Sequence, residues 1–85
     1  MLEVTNAKYL GDYKIFVEFN NHTNRILNLE QYLEGEIYEP LRDIEYFKNF
    51  KIELNTIGWE NGADFAPEFL LAIGTLVNTE IKIHS

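Results

Sequence analysis

The chain is 85 residues long, which fits one domain, and its 46% hydrophobic and 14% aromatic content can supply a folded core. Its 14 acidic and 7 basic residues give a net charge of -7, and the basic residues are scattered singly. Because phosphate backbones and anionic membranes are bound by clustered lysine and arginine, we expect the domain alone to bind neither nucleic acid nor a membrane. The acidic charge is compatible with a basic protein partner, and it would also keep a small protein soluble.

The absence of cysteine excludes disulfide bonds and thiolate metal sites. No apolar run approaches the ~20 residues of a membrane span, and the first residues lack the pattern of a signal peptide. We therefore expect a cytoplasmic protein. The chain contains no glycine-rich phosphate loop and no nucleophile elbow, so we expect no cofactor and assign no catalytic residue.

The first third of the chain predicts a three-stranded antiparallel meander. Apolar residues alternate with others from Tyr13 to Phe19, which is the period of a half-buried strand. A weaker strand is predicted over residues 2–10, before a turn. A third strand over residues 25–29 follows a polar loop rich in asparagine, a residue that tolerates tight reversals.

Helical spacing replaces the alternation after the third strand and indicates one turn of helix that ends at Gly35. Residues 37–41 predict an extended connector, because the residue before Pro40 avoids helical dihedral angles. Asp43 is a favourable N-cap for a short helix over residues 44–49.

Two strands and a helix are predicted to follow. Residues 50–54 alternate Phe, Ile and Leu with charged residues, and residues 56–59 form a shorter strand across a turn. Pro67 is typical of the first position of a helix. Residues 79–84 alternate again, and we expect an edge strand there that could pair with another copy of the chain and make a homo-oligomer.

These elements predict one α+β domain over residues 1–85: a mainly antiparallel sheet of about five strands with two short helices packed on one face. The meander occupies residues 1–30, a helix–strand–strand–helix portion occupies residues 31–75, and a tail occupies residues 76–85.

The most distinctive segment is residues 59–67, which holds the only tryptophan, the only Asn-Gly pair and one of two prolines. Asn61 and Gly62 predict a turn that leads from strand to helix. Trp59 is expected to pack in the core, although tryptophan also serves as an exposed binding anchor. Trp59, Asn61, Gly62 and Asp64 are therefore the candidate turn or interaction residues.

With this segment in view, the chain resembles a bacterial family catalogued as domain of unknown function 2442. The resemblance covers residues 4–71 and rests chiefly on Trp59, Asn61, Gly62, Ala63, Asp64, Pro67, Glu68 and Leu70. It implies a small α+β domain without an assigned activity, and some members are similar to the antitoxin half of two-gene modules. The family often has Asp or Ser where this chain has Ala66, so we expect Asp64 to satisfy the neighbouring backbone amides instead.

Several polar and aromatic residues allow more than one function. Glu60, Asp64 and Glu68 are spaced four apart and could bind a hard cation or act as an acid and base. The favoured interpretation is that Asp64 accepts backbone hydrogen bonds in the turn and that the two glutamates are solvated. An acidic run at residues 34–39 could dock a basic partner or form a solvated loop. The two histidines, His22 and His84, are expected on the surface.

The composition and the resemblance together favour a non-catalytic interaction or regulatory module that binds another protein, in the manner of an antitoxin. Exposed tyrosines such as Tyr32, Tyr38 and Tyr46 are candidates for its interface. One alternative is a small metal-dependent enzyme that uses the three carboxylates above. A second alternative is a small-ligand-binding domain with a pocket between sheet and helices.

Overall fold

The computed structural model describes residues 1–77. Within this range the elements are β1 (Val4–Gly11), β2 (Lys14–Phe19), β3 (Asn24–Asn28), a 3₁₀ helix (Glu30–Tyr32), a second 3₁₀ helix (Glu36–Arg42), α1 (Ile44–Phe47), β4 (Lys51–Glu53), β5 (Thr56–Gly58) and α2 (Pro67–Ile73). The predicted α+β class and the number of strands are confirmed. The predicted strand over residues 79–84 lies outside the described residues.

The meander forms as predicted, with β2 paired antiparallel to β1 on one side and to β3 on the other. Ile15, Val17 and Phe19 on β2 are buried, while the residues between them are exposed or half-buried. Leu27 of β3 lies opposite Ile15 in the register and is also fully buried. The alternation along β2 therefore identifies the face of this sheet that packs on the core.

The strands β4 and β5 form a separate two-stranded sheet, and the expectation of one continuous sheet is corrected in this respect. The two strands are joined by a tight turn in which Leu54 and Asn55 have φ of 52° and 74°. Positive φ at both central residues is the geometry of the type I′ hairpin turn. The Val4 amide donates to the Asn55 carbonyl at 2.9 Å and ties this hairpin to the start of β1.

The alternation in β4 does not mark a buried face. All three residues of β4 are exposed, Ile52 at 41%, and Leu54 in the turn is 89% exposed. Thr56 and Ile57 of β5 are buried instead. A short strand at the edge of a two-stranded sheet has few neighbours on either face, so alternation alone does not cause its burial.

The segment around Pro40 is a 3₁₀ helix, so the prediction of an extended connector is wrong. The Tyr38 amide donates to the Gly35 carbonyl, and the Asp43 amide donates to the Pro40 carbonyl. The avoidance of helical angles before proline is a local preference, and tertiary packing overrides it here. The compact turns direct Leu41 into the core, where it is fully buried.

The two short α-helices each contribute a buried residue to the core, Phe47 from α1 and Leu70 from α2. Asp43 caps α1 as predicted, since its side chain accepts a hydrogen bond from the Glu45 amide. After α2 the chain returns to the outer edge of β3, where Thr75 and Ile26 exchange two backbone hydrogen bonds of 2.9 Å. Fourteen buried apolar residues from the meander, α1, β5, α2 and the segments between them form one cluster.

Candidate functional site

The segment of residues 59–67, which we call the corner, begins with a tight reversal directly after β5. The Trp59 amide donates to the Ala63 carbonyl at 2.8 Å, and the Gly62 amide donates to the Trp59 carbonyl at 2.9 Å. Gly62 has φ of 93°, which only glycine adopts without strain. The side chain of Asn61 accepts from the Ala63 amide at 3.0 Å and donates to the Ile37 carbonyl at 2.9 Å. Asn61 therefore closes the turn and ties it to the second 3₁₀ helix.

Trp59 is a core residue with 4% of its surface exposed. Its Nε1 donates a 2.8 Å hydrogen bond to the Phe47 carbonyl at the end of α1. Its ring lies 5.6 Å from that of Phe47, 6.0 Å from that of Phe65 and 6.4 Å from that of Phe50, measured between centroids. The structure thus places Trp59 in the core, with only a small part of its surface exposed.

Asp64 does not cap the following helix, and that expectation is wrong. Helix α2 begins after Ala66 without a side-chain cap. Inside the turn, the Asn61 side chain accepts the hydrogen bond from the Ala63 amide. Asp64 pairs with Gly58 in an isolated antiparallel bridge, and its neighbours Ala63 and Phe65 are buried. Because side chains alternate along an extended segment, burial of these neighbours turns Asp64 outward to the surface.

The three carboxylates that could bind a metal are not gathered into a site. Within residues 1–77 no group of three or more His, Cys, Asp or Glu side chains is placed to hold a metal ion. Glu60, Asp64 and Glu68 are each exposed. His22 is exposed in the loop between β2 and β3, as expected, and His84 lies outside the described residues.

Four aromatic side chains form an open depression beside the corner. It has a volume of about 400 Å³ and is lined by Tyr32, Tyr38, Asp64, Phe65, Ala66 and Phe69; we call it the aromatic depression. The rings of Tyr38 and Phe65 stack with centroids 4.9 Å apart, and those of Phe65 and Phe69 stack at 5.7 Å. Tyr32 meets Phe69 edge-on at 5.1 Å. Three stacked rings and one perpendicular ring thus form a single aromatic cluster at the depression.

Hydrogen bonds hold this surface in place. The Tyr38 hydroxyl donates to the Asp64 carbonyl at 2.9 Å, which links the second 3₁₀ helix to the corner. Phe65 is only 7% exposed and forms the floor, whereas Tyr32, Tyr38 and Phe69 are half-buried and reach solvent. A ring that is already fixed loses little conformational freedom when a partner packs on it.

The segments that line the aromatic depression carry a strong excess of negative charge. Residues 30–42 and 59–73 together contain seven acidic residues and one basic residue, Arg42. The Arg42 Nε donates to the Leu33 carbonyl at 2.9 Å, and Arg42 is not among the residues that line the depression. The segments that supply the lining are therefore acidic on balance, and Asp64 lies in the lining itself.

A second depression, of about 490 Å³, is lined in part by Trp59 itself. Its lining includes Tyr46, Phe50 and Glu60 together with Lys48 and Lys51. Lys48 pairs with Glu45 at 3.1 Å, so part of the positive charge there is already compensated. This surface has mixed charge and lacks the row of stacked rings.

The sequence identified only part of the aromatic depression. Tyr32 and Tyr38 were predicted interface candidates, and Asp64 was a predicted corner residue. Phe65 and Phe69 were not singled out. Their spacing of four residues across the start of α2 was a usable signal, but an aromatic pair at helical spacing usually belongs to a core.

The fold and this surface define a small α+β domain with a closed apolar core and an open aromatic depression. A family model described as protein of unknown function (DUF2442) matches residues 4–75. The chain belongs to this family, as the residues of the corner indicated. Comparisons with curated proteins and with solved structures give no match. Over residues 1–77, no helix is both long enough and apolar enough to cross a membrane.

Proposed function

We propose that this protein is a non-catalytic interaction module that binds a basic protein in the cytoplasm, in the manner of an antitoxin bound to its partner. The observation that carries the proposal is the aromatic depression with its acidic surroundings. Aromatic residues are the commonest energetic anchors of protein interfaces, and complementary charge speeds encounter with a partner of opposite sign.

The arrangement of the depression suits an interface. Half-buried rings supply apolar area that a partner can cover, and the bond from Tyr38 to the Asp64 carbonyl keeps that area ordered. The net charge of -7 adds a long-range attraction for basic surfaces. Asp64 in the lining, and the excess of acidic residues in the two segments that supply the lining, add to that attraction.

The same structure gives less support to the two alternatives. The proposed pocket between sheet and helices would need open volume where Leu27, Leu70 and Leu41 are each fully buried in one cluster. A metal-dependent enzyme would need its carboxylates close together, and within the described residues they do not form a metal-binding group.

The test is affinity capture of the product of the adjacent gene with the intact protein, followed by measurement of the dissociation constant at two salt concentrations. We expect a complex whose affinity falls as salt rises, because exposed charges are screened. Tyr32→Ala and Glu68→Lys should weaken it about tenfold or more, while the matched variants Tyr46→Ala and Glu53→Lys on other surfaces should change it less than about threefold.

Glu68→Lys and Glu53→Lys change the net charge equally, so a difference between them reports the place of contact. No complex with the adjacent gene product, and no protection from any toxicity of that product, would count against the proposal. Equal effects of the paired variants would show that the interface does not include the aromatic depression.

A further inference from the structure

We propose that the aromatic depression is a binding site for the guanidinium group of an arginine side chain on the partner. The inference rests on the proposed function, because it takes the arginine to belong to a protein. It specifies the chemistry of contact, which a general acidic interface leaves open.

Two independent properties of the depression select a planar cation. The first is the set of aromatic faces, since a cation over an aromatic ring is attracted by the negative face of that ring. The second is charge: among the residues that the structure describes, the lining includes Asp64 and contains no Lys or Arg. A carboxylate or phosphate ligand would meet repulsion from the same residues.

The solvent-facing rings favour arginine over lysine. Phe65 stacks on both Tyr38 and Phe69 and is buried, whereas the half-buried residues keep part of their rings open to solvent: Tyr32, Tyr38 and Phe69. A guanidinium is planar, is weakly hydrated and stacks on aromatic faces, whereas an ammonium is a compact and strongly hydrated charge. A guanidinium can therefore stack on the open part of one of these rings while its N–H groups reach towards Asp64, which is also in the lining.

Within residues 1–77, no basic residue lines the depression. Arg42 is the only basic residue of residues 30–42 and 59–73, and its Nε is bonded to the Leu33 carbonyl. The volume of about 400 Å³ leaves room for one long side chain and part of the backbone that carries it. An arginine from another protein is thus the occupant that matches the shape and charge of the depression.

The experiment is a titration of the isotope-labelled protein with a blocked Gly-Arg-Gly peptide, followed by NMR of aromatic and amide resonances. The comparison peptide carries citrulline, which has nearly the same shape without the charge, and a third peptide carries lysine. We expect shifts at Tyr32, Tyr38 and Phe69, and binding of the citrulline peptide weaker by about two- to fivefold, the range of an exposed cation–π contact. The lysine peptide should also bind more weakly than the arginine peptide.

Two variants test the same site. Tyr32→Ala should weaken binding of the arginine peptide, and Asp64→Asn, which preserves size, should weaken it and reduce its dependence on salt. Glu53→Gln, which removes an exposed carboxylate from β4, serves as the control and should bind normally. If Tyr32→Ala fails to fold, Asp64→Asn alone decides, since its side chain is exposed.

Equal binding of arginine and citrulline peptides would overturn the inference and indicate a neutral apolar ligand. Shifts confined to the second depression, or no shift in any residue of the aromatic depression, would also overturn it. Because the titration uses free peptides, its result is separate from the capture of a partner. If a complex with the adjacent gene product forms but arginine peptides fail to bind, the arginine site is rejected and the proposed function stands. If arginine peptides bind but no complex forms, the adjacent gene product is rejected as the partner.

Discussion

Replacement of Trp59 by phenylalanine tests the central packing of the fold. The substitution keeps an aromatic ring but removes Nε1, which donates to the Phe47 carbonyl at 2.8 Å. That carbonyl would be left without its indole partner in a buried place, at a cost of about 1–3 kcal/mol. The smaller ring also leaves a cavity on the order of 40 Å³, which costs about 1 kcal/mol at about 24 cal/mol per Å³.

We therefore expect Trp59→Phe to lower the free energy of unfolding by about 2–4 kcal/mol. A domain of this size has a total stability of about 4–13 kcal/mol, so the loss is a large fraction of it. Urea unfolding followed by far-ultraviolet circular dichroism is the appropriate assay, because the substitution removes the only tryptophan and its fluorescence. At a slope of about 1 kcal/mol/M, the midpoint should fall by about 2–4 M.

Tyr46→Phe is the matched control. It removes a hydroxyl that accepts from the Asn61 amide at 3.0 Å, but both groups are near solvent and water can replace the bond. We expect a loss below about 0.5 kcal/mol. A loss below about 1 kcal/mol for Trp59→Phe, or one no larger than that for Tyr46→Phe, would refute the role assigned to the indole.

Three further substitutions probe other contacts. Gly74→Ala would place a methyl group 2.5 Å from the Cβ of Arg25, so it should cost about 1–3 kcal/mol in urea unfolding. Thr56→Val removes the buried hydroxyl that donates to the Phe65 carbonyl at 2.6 Å, and calorimetry should show a loss of about 1–3 kcal/mol. Asp43→Ala removes the cap of α1 and should cost about 1 kcal/mol by the same calorimetric measurement.

Each of these has a control. Gly62→Ala meets no atom within 4 Å but has φ of 93°, so its cost of about 1 kcal/mol reports backbone strain and not a clash. Thr56→Ser keeps the hydroxyl and should lose less than Thr56→Val. Asp43→Asn preserves a capping oxygen and should be nearly neutral. A cost for Gly74→Ala below that of Gly62→Ala would contradict the close approach of α2 to β3.

Local sequence patterns were sufficient to predict features that depend on nearby backbone geometry or on the alternation of side chains along one strand. The alternation in β2, the cap at Asp43, proline at the start of α2 and the turn at Gly62 were all predicted and are present. Each depends on dihedral preferences or on a hydrogen bond between residues close in sequence, so distant residues do not decide it.

Local patterns failed where long-range packing sets the outcome. The segment before Pro40 is helical because burial of Leu41 outweighs a local preference. Asp64 faces the surface because the extended segment pairs with Gly58. β4 is exposed because it belongs to a separate two-stranded sheet. The alternation of residues within one strand does not indicate which sheet that strand joins.

The sequence by itself determined the α+β class, the five strands, the acidic charge and, through the corner residues, membership in the DUF2442 family. Only the tertiary structure decided what surface those elements create. It brings two tyrosines and two phenylalanines together although about 30 positions separate the pairs in the chain: Tyr32, Tyr38, Phe65 and Phe69. Two hydrogen bonds join the two segments, one from the Tyr38 hydroxyl and one from the side-chain amide of Asn61. Contacts between such distant segments arise from packing of the whole chain, so the candidate site could be read only from the fold.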